Sequence, residues 1–425
     1  MDRAAPRVAV LGAGPVGLEA ALHAAQLGLA VTVYERGRIG EHLHAWGHVR
    51  LFSPFGMNST PAGRAAIRAE SPGHAFPDEA DCITGREHLA AYVEPLARTA
   101  LLRDRIRLQT EVLAVGRQRL LKGESPGGPQ RRLHPFRLLV RAKGQERIDE
   151  ADIVLDCTGT YGTHRWMGDG GIPAVGELAA AGQISYTLDD ILGERRGHYA
   201  GKTVLVVGGG YSAATTVCAL AALAEAHPET WVIWLARMTG TQPIRRVHND
   251  PLRERDRLAV RANTLATRAD GNVEFHPHAT VQAVEVLGPD KGFRVTALVG
   301  KALRTWEVDR IVANVGYSPD STLYRELQVH ECYATLGPMK LAAVLLGAAV
   351  NDCLQQTSHG PDALRNPEPN FYILGAKSYG RNSHFLLRSG FEQVRDVMTL
   401  IKRDWQLDGS LAHPRPGGEA PGRGR

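Results

Sequence analysis

An α/β fold built from two doubly wound, Rossmann-like units follows from three stretches of this 425-residue sequence. Residues 7–36, RVAVLGAGPVGLEAALHAAQLGLAVTVYER, run from an apolar stretch through Gly12-x-Gly14-x-x-Gly17 into an Ala- and Leu-rich segment, stop at Gly28, and end a second β-branched run on Glu35. Residues 202–223, KTVLVVGGGYSAATTVCALAAL, repeat the plan around Gly208-x-Gly210-x-x-Ala213. Near the C-terminus, residues 371–374, FYIL, supply one more strand, which stops at Gly375. Strand, glycine turn and helix occurring twice is the pattern of parallel sheets covered by helices.

In the first unit each glycine has its own task. Gly12 makes the tight turn off the strand, Gly14 leaves room for a pyrophosphate to approach the backbone, and Gly17 lets the helix sit close to the sheet. The amides and positive dipole end at the helix start hold phosphates. Glu35, at the tip of the second strand, accepts hydrogen bonds from an adenosine ribose. With strand, helix and acid all in place, the motif reads as a dinucleotide site rather than a surface turn.

Composition narrows the function. With 43% hydrophobic and 22% charged residues the chain is an ordinary globular one, and its length favours more than one domain. The net charge of +5 is spread along the chain, which suits anionic cofactors and offers no block for nucleic acid. Cys82, Cys157, Cys218, Cys332 and Cys353 are far apart, with no Cys-x-x-Cys for a redox dithiol or a zinc site. They read as small core residues in a reducing compartment. A first strand entered by residue 8 leaves no room for a signal peptide, and the longest apolar run, residues 341–350, is too short to span a bilayer. A cytoplasmic location without membrane attachment is predicted.

Between the glycine units, residues 36–64 hold Gly37, Gly40, Gly47, Pro54, Gly56 and Pro61 and cannot form one regular element; so long a loop is usually functional. His42, His44 and His48 lie in it, but no second cluster accompanies them, and no metal is predicted. Residues 61–70 and 86–103 carry helical periodicity, with Pro95 bending or shortening the second. Residues 106–116 alternate as one strand, 117–135 read as an exposed hairpin loop, and residues 136–142 and 148–159 are strands. The glycine-rich residues 168–177 are expected to form a connector over the active site. Residues 250–269 read as a charged surface helix, 273–313 as several strands, and a last amphipathic helix starts near residue 388. Residues 409–425, rich in Gly, Pro and Arg, are expected to be disordered.

Gly12-Ala13-Gly14-Pro15-x-Gly17, Glu35, and then Gly40 followed by Trp46 resemble the start of the flavoproteins that carry two dinucleotide-binding domains, including flavin-dependent monooxygenases and thioredoxin-reductase-like enzymes. The resemblance implies FAD in the first site, with residues 40–46, and so Trp46, near the isoalloxazine. It departs where the family has two glycines before the tryptophan and this chain has Gly40-Glu41. It also implies a backbone contact from Val112 to the adenine. Cys157-Thr158-Gly159 matches the family's alanine-threonine-glycine crossing out of the FAD domain, with Cys157 in place of alanine. Asn314-Val315-Gly316-Tyr317-x-Pro319-Asp320 resembles the exit motif that leads back. Gly375 is the glycine after which disulfide-reductase relatives place an aspartate for the ribityl chain; here that position is Ala376.

The second glycine unit, Gly208, Gly210 and Ala213, is then the NAD(P)H site. Its second strand ends in Arg237 where NAD-specific proteins have an acid, with Arg245 and Arg246 close behind. Arginine matches a 2′-phosphate by bidentate hydrogen bonds, so NADPH is favoured. The implied domains are a discontinuous FAD domain, 1–165 with 318–405, an NADPH domain with its connector, 166–317, and a tail, 406–425. No catalytic side chain is singled out. The leading expectation is a monooxygenase that oxygenates a small molecule at sulfur, nitrogen or a ketone through a peroxyflavin, since no cysteine pair offers disulfide chemistry. Supporting it is the Gly-Tyr-x-Pro-Asp exit; against it, the monooxygenase fingerprint before the second unit is represented only by Gly182 and Tyr186. The alternatives are an NADPH-dependent reductase serving a quinone, redox protein or small acceptor, and a redox sensor without turnover. A homodimer is left open.

Overall fold

The computed structural model describes residues 5–268, 271–288, 291–347, 353–355 and 359–406. The predicted disordered tail falls outside them, as do residues 348–350 of the longest apolar run. Among the described residues no helix is long and apolar enough to cross a membrane.

Two parallel sheets organise the chain. The first has the order Phe371–Ile373, Ile153–Asp156, Arg7–Leu11, Ala30–Tyr34, Ile106–Arg107, and the second the order Val273–His276, Trp231–Leu235, Thr203–Val207, Arg310–Ala313. Neighbours in both run parallel. In each sheet the strand that leads into a glycine turn is flanked on both sides. That is why Val8, Val10, Val204, Leu205 and Val206 are all buried and why those strands read as continuous apolar runs. The second sheet is drawn wholly from residues that lie, along the chain, between Ile153–Asp156 and Phe371–Ile373 of the first, so the second unit is inserted into the first.

Each parallel sheet carries a three-stranded antiparallel meander: Thr110–Arg117, Phe136–Ala142 and Gln145–Ala151 in the first unit, and Ala279–Gly288, Gly292–Val299 and Ala302–Val308 in the second. One aspartate turns each meander back into its parallel sheet. Asp152 accepts the N–H of Arg7 and Asp309 that of Thr203, both at 2.8 Å, so each acid fastens the start of a central strand.

Four expectations change. The alternating run 106–116 is two strands, because the chain turns at Gln109 with φ of +50°: Ile106–Arg107 closes the edge of the parallel sheet, and Thr110–Arg117 opens the meander. Residues 148–159 likewise divide at Asp152. The loop 117–135 is not simply exposed, since Arg131 within it is fully buried and, with Arg117, meets the buried Glu368. Around Pro95 the helix does not merely shorten. A capped turn, Gly85–His88, passes through a π turn, Leu89–Val93, into Glu94–Ala97, and His74 Nε2 donates at 2.8 Å to the Ala91 carbonyl that proline, lacking an N–H, cannot serve.

The pyrophosphate helix candidates pack as their small residues suggest. Pro15–Gln26 lies against the C-terminal helix Leu387–Trp405, and Tyr211–Ala226 against Arg253–Thr267. The connector of residues 168–177 pairs with the strand Ala279–Gly288 through Gly168 to Val281 and Val175 to Ala283, so it is a side layer of the second unit's meander. The buried Glu177 holds it there by accepting the amides of Met167 and Ala174 and the hydroxyl of Tyr186. Tyr186, one of the two residues weighed as a fingerprint remnant, is thus tied to this connector.

Candidate dinucleotide sites

The first glycine turn separates its glycines by task. Gly12 has φ of +97°, and a Cβ there would lie 2.8 Å from the Cys157 carbonyl oxygen; a Cβ on Gly17 would run into the Gly12 carbonyl. Gly14 is extended, and a Cβ there would meet no atom within 4 Å. Gly12 and Gly17 are required by the fold, and Gly14 leaves an open cradle. Pro15 occupies the first helical turn, where its missing N–H costs nothing. Residues present at this turn therefore fit a dinucleotide pyrophosphate.

Glu35 is buried, with Oε2 accepting from Ala13 N and Oε1 from Gly37 N, both at 2.8 Å. The strand carrying Val112 starts alongside, with Thr110 N donating to the Glu35 carbonyl at 2.9 Å. On the other side Gly40 N donates to the Ala13 carbonyl at 3.0 Å, which brings the long loop back to the glycine turn. Trp46 lies beyond that contact: it packs on Gly85, whose Cβ would fall 2.7 Å from its ring. The three loop histidines diverge, His42 against the Tyr161 ring, His44 toward Glu94, and His48 toward Asp189 and Asp190. Burial holds both His42 and His48 below the ordinary histidine value.

At the carboxyl edge of the same sheet the structure adds residues that the motifs did not single out. Lys377 Nζ donates at 2.7 Å to Asp156 Oδ2 and at 3.0 Å to Thr158 Oγ1, and both members of the ion pair are buried. Gly375, with φ of +71°, donates its N–H to Gln393 Oε1 at 2.8 Å and faces Val16 of the helix Pro15–Gln26. Gly159, φ +70°, has open space at its Cβ position. A lysine two residues past one motif and an aspartate directly before another were visible in the sequence; that they meet was not.

The second turn repeats the division of labour. Gly208 has φ of +147°, and a Cβ there would strike the Asn314 carbonyl, whereas a Cβ on Gly210 would meet nothing within 4 Å. Ala213 is buried under the turn, and the indole of the buried Trp234 donates to the Gly208 carbonyl at 2.8 Å. Asn314 Oδ1 accepts from Thr216 Oγ1 at 2.6 Å, so the exit motif is bolted to the helix behind the turn. Arg237 is exposed and lies between Ala236 and Met238, the two residues that come within 4 Å of a Cβ on Gly209. Arg246 is instead engaged by Asp256 through two bonds of 2.8 and 2.9 Å.

The two crossings between the units run side by side. Arg165 N donates to the Gly316 carbonyl and Ser318 N to that of Thr163, both at 2.9 Å, and the Tyr161 and Tyr317 rings pack with centroids 4.6 Å apart and planes tilted by 31°. Burial, then the nearby charges of Arg381 and Arg237, hold the Arg165 guanidinium below its ordinary value. No two of the five cysteines are bridged. Cys157 borders the first turn, and burial pushes its thiol far up.

Two glycine turns of this geometry, one unit inserted in the other, define a flavoprotein oxidoreductase with two dinucleotide-binding domains. The chain belongs to the pyridine nucleotide-disulphide oxidoreductase family, whose match spans residues 6–332. A comparison with curated proteins finds no match. Among solved structures, the bacillithiol disulfide reductase Bdr (YpdA) from Bacillus cereus is similar with a TM-score of 0.67 and 19% identity over 94% of this chain and 99% of that one. Ornithine hydroxylase (PvdA) from Pseudomonas aeruginosa gives 0.61 and 15% over 94% and 99%, and T. acidophilum thioredoxin reductase 0.58 and 16% over 95% and 100%. At these identities the likeness is one of fold, shared by reductases and hydroxylases alike.

Proposed function

We propose that this chain is an FAD-dependent oxidoreductase that oxidises NADPH and oxygenates a small molecule. The open cradles at Gly14 and Gly210 support two dinucleotides, FAD at Gly12, Gly14, Pro15, Gly17 and Glu35, and NADPH at Gly208, Gly210, Ala213 and Arg237. When bound, FAD supplies hydride acceptance and the reaction with oxygen. The chain supplies position and shelter: amides at each turn for the phosphates, the Glu35 carboxylate for a ribose, and aromatic side chains, Tyr161 and Tyr317, at the crossings between the units.

The observation that carries the choice of acceptor is that Cys157, the half-buried cysteine beside the first turn, is bridged to no other cysteine. Burial raises its thiol above the ordinary value and so disfavours the thiolate, and the other four cysteines lie on other elements, which supports an acceptor other than a protein dithiol.

The test is anaerobic reduction by NADPH followed by mixing with oxygen, with and without an added quinone or disulphide. A return to the oxidised spectrum through a long-lived third species supports oxygenation. Reoxidation that is fast only with the added acceptor makes the protein a reductase, and failure to oxidise NADPH makes it a flavin-binding sensor.

A further inference from the structure

Asp156 is the middle of three adjacent strand ends, in register with Leu11 on one side and Ile373 on the other. The chain that follows each strand lies at the carboxyl edge, where open α/β sheets receive their ligands. Gly12 follows Leu11, Cys157 and Thr158 follow Asp156, and Leu374 and Gly375 follow Ile373. The first two segments touch, since a Cβ on Gly12 would lie 2.8 Å from the Cys157 oxygen. The third rests on the helix behind them, since a Cβ on Gly375 would lie 3.4 Å from Val16.

The side chains at this point form a closed set. Asp156 Oδ1 accepts from Thr158 N at 3.1 Å and Thr158 Oγ1 at 2.7 Å, Oδ2 accepts from Lys377 Nζ at 2.7 Å, and Nζ returns a bond to Thr158 Oγ1 at 3.0 Å. The Tyr324 ring lies 5.0 Å from the ammonium. A buried ion pair is a weak source of stability, because apolar residues of the same volume often do as well. What this pair adds is a fixed spacing between two loops. Ala376, between Gly375 and Lys377, offers a ligand only a methyl group, and Ser378 and Tyr379 are buried, with the Ser378 hydroxyl donating to the Gly375 carbonyl, so this turn meets a ligand through its backbone, and backbone position is what Lys377 sets.

We propose that Lys377, acting through Asp156 and Thr158, is a positioning residue for FAD: it holds the turn Gly375–Tyr379 and the crossing at Thr158 and Gly159 at the separation the bound flavin nucleotide requires. This rests on the assignment of FAD to the first site.

The experiment is titration of cofactor-free protein with FAD, followed by flavin fluorescence, together with the flavin absorption spectrum and thermal unfolding without cofactor. Lys377→Met should bind FAD at least tenfold more weakly with an altered flavin spectrum, and Lys377→Arg should recover part of both. In the apolar double variant Asp156→Leu with Lys377→Met, unfolding should return toward wild type while FAD affinity stays low. Wild-type affinity and spectrum in Lys377→Met, or recovery of affinity together with stability in the double variant, overturns the inference. If Lys377→Met does not fold, Lys377→Arg and Asp156→Asn carry the comparison, and wild-type affinity in both overturns it. Wild-type protein that binds no FAD overturns the cofactor assignment itself.

Discussion

Glu35 Oε2 accepts the backbone N–H of Ala13 at 2.8 Å, tying the acid at the tip of one strand to the glycine turn that ends its neighbour. Its other oxygen takes the Gly37 N–H, and each keeps a lone pair for a ribose hydroxyl. Glu35 therefore shapes the turn before any nucleotide arrives.

Glu35→Gln should act on fold and ligand together. The amide group turns one acceptor into a donor facing a backbone N–H, and the loss of a charge-assisted bond costs about 1.5–3 kcal/mol. Thermal unfolding without cofactor should shift down and the FAD dissociation constant should rise. Weaker FAD binding at unchanged stability would show that the bonds to Ala13 and Gly37 do not support the turn.

The glycines should separate in the same two assays. Gly17→Ala forces a Cβ into the Gly12 carbonyl and should destabilise by about 1–3 kcal/mol or more. Gly14→Ala enters open space from an extended backbone and should leave stability within about 0.5 kcal/mol while lowering flavin content in purified protein. Full flavin content in Gly14→Ala and still bulkier variants would remove the pyrophosphate from this turn.

Acid sensitivity should trace to Glu368. Burial opposes its ionisation, but hydrogen bonds from Arg131, the Gln328 amide and Arg117 outweigh burial and hold the carboxyl below its ordinary value. A lowered folded-state pKa gives stability that is fully present above the unfolded value of about 4.3 and is lost as pH falls through the folded one. Glu368→Gln leaves two buried guanidinium groups without a counter-charge, so it should cost about 3–5 kcal/mol in urea unfolding at neutral pH and flatten the decline of stability in acid. A variant as stable as wild type would mean that water or relaxation already serves these charges.

How much was legible depended on whether a signal was local. The glycine turns, Glu35 and the helices behind them are written in runs of under forty residues, because turn geometry and periodicity act over that distance. Asp156 and Lys377 lie far apart in the chain, as do Arg131 and Glu368, and meet only because the returning strand Phe371–Ile373 closes the sheet. The break at Gln109 went unread because the apolar alternation continues across it; the left-handed backbone there is set by pairing of the two halves with different sheets.

Arg237 gives the last prediction, and the structure sharpens it against Arg246. Both follow the second strand of the inserted unit, but Arg246 is held by Asp256 through both of its carboxylate oxygens, whereas Arg237 is exposed beside the residues that touch Gly209. A charge-assisted contact from Arg237 to a 2′-phosphate contributes about 1.5–3 kcal/mol, which is roughly 10- to 150-fold in affinity. Wild-type protein should prefer NADPH over NADH by a factor of that order. Arg237→Ala should erode the preference by weakening NADPH while NADH changes little. Arg246→Ala should leave the ratio nearly unchanged, with Arg245→Ala measuring any share carried by the third arginine. The measurement is the anaerobic rate of flavin reduction against the concentration of each cofactor. Equal use of NADH and NADPH by wild type would remove the 2′-phosphate from this site, and a ratio that falls with Arg246→Ala but not with Arg237→Ala would move the contact to the far side of the Asp256 pair.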